Sequence, residues 1–311
     1  MSKKTVKEWY VDAPWGKIAM VSWGDPNNPP MLLVHGYMDS AASFILLLDL
    51  LPDNHYYVGF DMPGHGKSSP FPQDLHITQL HVVEAIRIIV QHLQWNTFIY
   101  MSHSLGCIIG LIFHHLYPEY IKKMVFLDPG LPLSMYLLSQ YRPAFWFHLD
   151  CTNYLENCQE ECLKKPGLYK YNSLVSSVAR NRDLTEEQAK ILVSRSIEPM
   201  GNDTYRLSWE PRMKFIAQLT VPEETIYTIM TTAPPPILAI DPSHTKVSNS
   251  KEYVDNLMSR CELTLPHFYR VTVVGGHDVH ITNPELLVPK IVKFLQSNDN
   301  DLSFAFRKSR L

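Results

Sequence analysis

The chain has 311 residues, 45% hydrophobic and 19% charged, with 28 basic residues against 31 acidic ones and a formal net charge of −3. That length can bury a sizeable core, and so even a balance leaves no electrostatic footprint for nucleic acid. No run approaches the about 20 apolar residues that span a bilayer, and the opening MSKKTVKEWYV lacks the apolar stretch of a secretory signal.

Residues 9–11 and 17–23 read as two strands around Pro14 and Gly16, an antiparallel edge with Ile18 and Met20 on its apolar face. After the turn-rich GDPNNPP, residues 31–34 form a continuous apolar strand of the kind buried on both faces, and His35 and Gly36 follow at its carboxyl end. Residues 44–51 predict a helix. Residues 56–60 predict a strand ending in the tight loop DMPGHGKSS, and Leu80, Val83, Ile86, Ile89, Val90 and Leu93 repeat at helical period after Thr78.

The stretch 98–106, FIYMSHSLG, organises the rest. A β-branched and aromatic strand stops at Ser104 and turns at once into the apolar helix predicted over 107–117. Such a turn throws its tip residue out at the carboxyl edge of the sheet, beside helix N-terminal amides, including the Leu105 N–H, that can bind an oxyanion. Strand and helix pack closely there, so small residues must flank the serine. Gly106 meets that need, and Ser102 stands where G-x-S-x-G has its first glycine. A capping serine in an ordinary strand-to-helix turn is the alternative reading.

The strand at 124–127 ends in Asp128, Pro129 and Gly130. Strand patterns then give way to helical ones over 131–235, with a capping-box start at 183–187. That segment is far too long for a loop and is expected to be a helical cap inserted over Ser104. The strand at 237–240 ends at Asp241, and the last, at 269–274, delivers Gly275, Gly276, His277, Asp278, Val279 and His280 before a closing helix at 284–296. The predicted architecture is α/β: a mostly parallel eight-stranded sheet with helices on both faces. Residues 1–130 and 236–300 make the core, 131–235 the cap and 301–311 a tail. Cys107, Cys151, Cys158, Cys162 and Cys261 contain no C-x-x-C pair and read as reduced thiols; with His148 nearby they still match no zinc spacing, so neither metal nor cofactor is expected.

Together HG after the third strand, DMPGHGKSS after the fourth, SHSLG after the fifth and GGHDVHITNPE after the last resemble the α/β-hydrolase family, and within it the serine hydrolase-like proteins. The resemblance implies that Ser104 is the nucleophile and His277 the general base. It further implies that the N–H groups of Leu105 and Tyr37 form the oxyanion hole, supported by the loop at His35 and Gly36. The family's acid most often lies beyond the seventh strand, where AIDPSHTKVSNS has none at the usual offset. Asp128, at the tip of the sixth strand, is therefore favoured over Asp241. His103 and His280 are assigned to packing or pocket lining, and His65 to holding its loop.

A serine at the elbow excludes the alkyl-ester chemistry of dehalogenases and epoxide hydrolases, which need a carboxylate there. What the resemblance leaves is cofactor-free hydrolysis of an apolar carboxylic ester or thioester through an acyl-enzyme. The displaced acid leaves open a catalytically weak protein that binds an apolar small molecule. Ser309, Arg310 and Leu311 read SRL, close to the peroxisomal SKL address, which predicts an import receptor as partner and the peroxisome as location, the cytoplasm being the alternative.

Overall fold

Apolar runs such as MLLV need cover on both faces of a sheet, and the computed structural model, which describes residues 4–73, 75, 77–136, 167–215, 222–245 and 251–297, supplies it. The strands in chain order are β1 (Val6–Ala13), β2 (Gly16–Trp23), β3 (Pro30–Val34), β4 (Tyr56–Phe60), β5 (Phe98–His103), β6 (Ile121–Leu127), β7 (Tyr169–Lys170), β8 (Ile197–Gly201), β9 (Thr204–Leu207), β10 (Ile237–Pro242) and β11 (Phe268–Val273). Eight of them make one sheet in the order β1-β2-β4-β3-β5-β6-β10-β11. β2 pairs antiparallel with β1 and β4, and the other neighbours are parallel.

Strand alternation divides the core between the two faces. Leu32 and Val34 join one cluster with Ile86 and Ile89 of the helix Gln79–Leu93 and Ile108 of the helix Leu105–Leu116. Met31 and Leu33 join the other, with Phe44, Leu47 and, from the helix Val288–Gln296, Ile291 and Phe294. Each such side chain contributes about 1.5–3 kcal/mol on full burial, so the carboxyl ends of the central strands form a rigid platform. The helix Lys251–Thr264 is absent from the sequence expectations, although Val254, Leu257, Met258 and Cys261 bury one face at helical spacing.

Between β6 and β10 the described residues include the helices Tyr171–Arg182, Glu186–Val193 and Glu223–Thr231, the second opening with the capping box of Thr185 and Gln188. The expected helical cap carries strands as well, because β7, β9 and β8 form a three-stranded antiparallel sheet. β8 turns into β9 at Asn202 and Asp203, both at positive φ (52° and 54°), the conformation of a tight hairpin that Asn and Asp tolerate. The insertion is tethered to the core by charge. Arg195, buried, pairs with fully buried Asp61 at 2.9 Å and with Glu8 at 2.7 Å. Arg212 donates to the carbonyls of Phe71, Pro72, Gln73 and Leu75.

Candidate active site

β5 ends at His103 and the next helix begins at Leu105, which leaves Ser104 alone to make the turn, at φ 50° and ψ −120°. Its N–H donates to Leu127 O at 3.0 Å, and its carbonyl accepts from Cys107 N at 2.8 Å. A Cβ at Gly106 would overlap the carbonyl oxygen of Val34 and lie 3.1 Å from Ser102 Cβ, which is why both flanking residues are small. Leu105 opens the helix, where the first N–H groups have no intrahelical acceptor.

The loop after β3 lies against this turn. A Cβ at Gly36 would be 3.1 Å from Ser104 Cβ and 2.8 Å from His103 Nδ1, so only a bare backbone fits. Two buried histidines hold the loop. His35 Nδ1 donates to Gly36 O at 2.7 Å while its Nε2 accepts from Met62 N at 2.9 Å; His65 Nε2 accepts from Met38 N at 3.1 Å and its Nδ1 donates to Pro63 O at 3.2 Å. These roles require neutral rings. Burial lowers both pKa values, that of His65 to about 3 with help from the neighbouring His35. Tyr37 sits between these anchors, its hydroxyl donating to Met213 O of the insertion at 2.9 Å.

The loop after β11 carries His277, whose Nδ1 lies 2.7 Å from Asp128 Oδ2. Asp128, at the end of β6, is buried and adopts φ 53°, with its N–H bonded to Ile240 O at 2.9 Å. The same carboxylate oxygen accepts the Thr245 hydroxyl at 2.6 Å. Asp241 is directed elsewhere: it hydrogen-bonds Arg270, which also pairs with Asp255 at 2.7 Å. Burial raises the Asp241 pKa against the pull of Arg270.

His103 connects the pieces. Its Nε2 donates to the His277 carbonyl at 3.0 Å, and its ring centroid lies 4.5 Å from that of His277 and 4.0 Å from that of His280. Across the site, Arg182 of the insertion donates to Asp278 Oδ2 at 2.8 Å and to Asp39 Oδ2 at 3.0 Å, joining the His277 loop to the Gly36 loop. Burial pushes the Asp278 carboxyl up, but Arg182 outweighs it and the net shift is downward. Sequence reasoning missed Thr245, Asp39 and Arg182. Asp278, next to His277, was the one partner that adjacency could have suggested.

A hydroxyl held at a helix N-terminus with a glycine loop beside it, and an imidazole oriented by a buried carboxylate, can together support nucleophilic acyl transfer. A family model for the alpha/beta hydrolase fold matches residues 29–284. The chain belongs to this family. Among the α/β hydrolases it is similar to the human serine hydrolase-like protein 2, 29% identical over 94% of each chain. It is also similar to a zebrafish (Danio rerio) serine hydrolase-like protein, 26% identical over 96% of this chain and 91% of the other. Of solved structures, the thioesterase domain from the curacin biosynthetic pathway shares the fold at a TM-score of 0.76, with 18% identity, 93% of this chain and 99% of that one covered.

Proposed function

We propose that this α/β hydrolase cleaves a carboxylic ester or thioester through an acyl-enzyme on Ser104. His277 Nε2 takes the Ser104 proton as the hydroxyl attacks the carbonyl carbon, and the N–H groups of Leu105 and Tyr37 receive the oxyanion. The protonated imidazole gives that proton to the departing alcohol or thiol. Water, deprotonated by the same nitrogen, then releases the acid and regenerates Ser104. Asp128 keeps Nδ1 protonated and stabilises the imidazolium. The observation that carries this reading is the 2.7 Å bond between His277 and the buried Asp128, whose chain neighbour Leu127 accepts the N–H of a serine held at positive φ.

In this reading the insertion at 131–235, of which 137–166 and 216–221 lie outside the described residues, acts as the lid over an apolar acyl group. We also propose that Ser309, Arg310 and Leu311, which lie outside the described residues, bind the peroxisomal import receptor where they form the free carboxyl terminus. A fluorescent protein fused at the amino end should become punctate with peroxisomes and turn diffuse when the three residues are deleted.

The hydrolase reading is tested by labelling purified protein with a fluorophosphonate probe. Labelling of wild type that vanishes in Ser104→Ala and His277→Ala is the expected result and would justify a screen of esters and acyl thioesters. Folded wild type that does not label would overturn the reading in favour of a protein that only binds an apolar small molecule.

A further inference from the structure

We propose that Asp39, His103 and His280 form a binding site for one divalent transition-metal ion of the zinc type, directly behind His277. The three side chains come from the loop after β3, the end of β5 and the helix Val279–Thr282, and none is more than 4% exposed. Even so, one carboxylate oxygen and one ring nitrogen of each histidine all lie within 4.8 Å of one another. Zinc bonds of about 2.0–2.1 Å put tetrahedral N and O donors roughly 3.4 Å apart, so small side-chain rotations close the set around an ion.

The lone pairs indicate what is missing. His103 Nε2 donates to a carbonyl, so the proton sits there and Nδ1 holds a lone pair; that nitrogen has no hydrogen-bond partner. Neither nitrogen of His280 has one either, and a neutral ring always keeps one lone pair. Buried acceptors without donors are costly, and a cation satisfies them. The back of His103 is already arranged as in metal-bound histidines, whose second ring nitrogen donates to a carbonyl or carboxylate.

Charge permits an ion as well. Two carboxylates, Asp39 and Asp278, face the single guanidinium of Arg182, and Arg182 already makes two hydrogen bonds to Asp278, so it can release Asp39. Two imidazoles and one carboxylate suit Zn²⁺, Co²⁺, Ni²⁺ or Cu²⁺ and not Mg²⁺ or Ca²⁺, which take mainly oxygen ligands. A buried water is the competing occupant. Because His103 bonds the His277 backbone, an ion drawing on His103 would shift the base loop and slow labelling of Ser104; that consequence rests on the hydrolase reading, whereas the binding does not.

The test uses the full chain, stripped with EDTA and dialysed. Zn²⁺ is titrated by calorimetry and Co²⁺ by its visible absorption, with His280→Gln and Asp39→Asn compared by both methods. The proposal expects one ion per wild-type chain, binding weakened at least tenfold in each variant, and Zn²⁺-induced shifts of the His103 and His280 signals in long-range ¹H–¹⁵N imidazole spectra. No binding to wild type, as a water site would give, overturns it, and so does equal binding by both folded variants. Should the variants misfold, the wild-type imidazole spectra decide: unshifted His103 and His280 signals overturn the site. Fluorophosphonate labelling with and without Zn²⁺ is read separately, so an unlabelled protein that still binds one ion leaves the metal site standing.

Discussion

Ser104 occupies a backbone region that costs a non-glycine residue of the order of 1–3 kcal/mol, and the surrounding packing holds it there: Leu127 O takes its N–H, while Gly106 lets the helix close on Val34. Gly106→Val should force strand and helix apart and lower unfolding free energy in urea by about 1–3 kcal/mol. The two candidate acids separate at this scale too. Asp128→Asn leaves the shape intact but removes the charge that faces His277 Nδ1, and should lower the rate of turnover of an activated ester by about 10⁴-fold. Asp241→Asn, at a residue whose carboxylate bonds Arg270 and not His277, should leave the same rate near wild type. Equal losses in both would contradict these roles. The four proposed catalytic positions, Ser104, His277, Leu105 and Tyr37, could be named from sequence because their turn motifs are local and resemble those of the family. Thr245 could not, since a hydroxyl 117 positions from Asp128 bonds it only through the fold.

At the scale of elements, the insertion is held by arginines. Arg195 neutralises Asp61, which also accepts backbone N–H groups from Ala41 and Lys67 in the loops next to the site. Arg195→Ala leaves a carboxylate buried without its cation and should cost about 3–5 kcal/mol, measured by denaturant unfolding. Arg182 is partly exposed and joins two loops, so Arg182→Ala should cost less, about 1.5–3 kcal/mol. Limited proteolysis should then show faster cleavage within 167–215, with Arg182→Lys intermediate because an ammonium cannot bridge both carboxylates as a planar fork does. The helix at residues 251–264 and the hairpin β8–β9 carried readable signals, a helical apolar stripe and an Asn-Asp turn. The helix-rich surroundings masked the hairpin.

At the scale of the whole molecule, the fold buries neutral histidines at its centre, and pH tests that. His65 has a folded pKa near 3 against about 6.5 unfolded, so between those values the unfolded chain binds the extra proton and stability rises with pH. That contribution is complete above about pH 6.5 and is lost as pH falls toward 3; each unit of difference is worth about 1.4 kcal/mol. Melting temperature should therefore fall from pH 7 to pH 4.5, and His65→Gln should show a shallower fall. An unchanged slope would mean that His65 does not titrate on unfolding.

The amino-acid sequence by itself determined the α/β architecture, the strand-turn-helix at Ser104 and the glycine-bordered loops, because periodicity and turn sterics act within a few neighbouring residues. Tertiary structure alone decided which carboxylate meets His277, and it gathered Asp39, His103, His280 and Arg182. Those groups lie far apart in the chain, and their contacts depend on how β3, β5 and β11 end at one edge of the sheet and where the insertion lies across it.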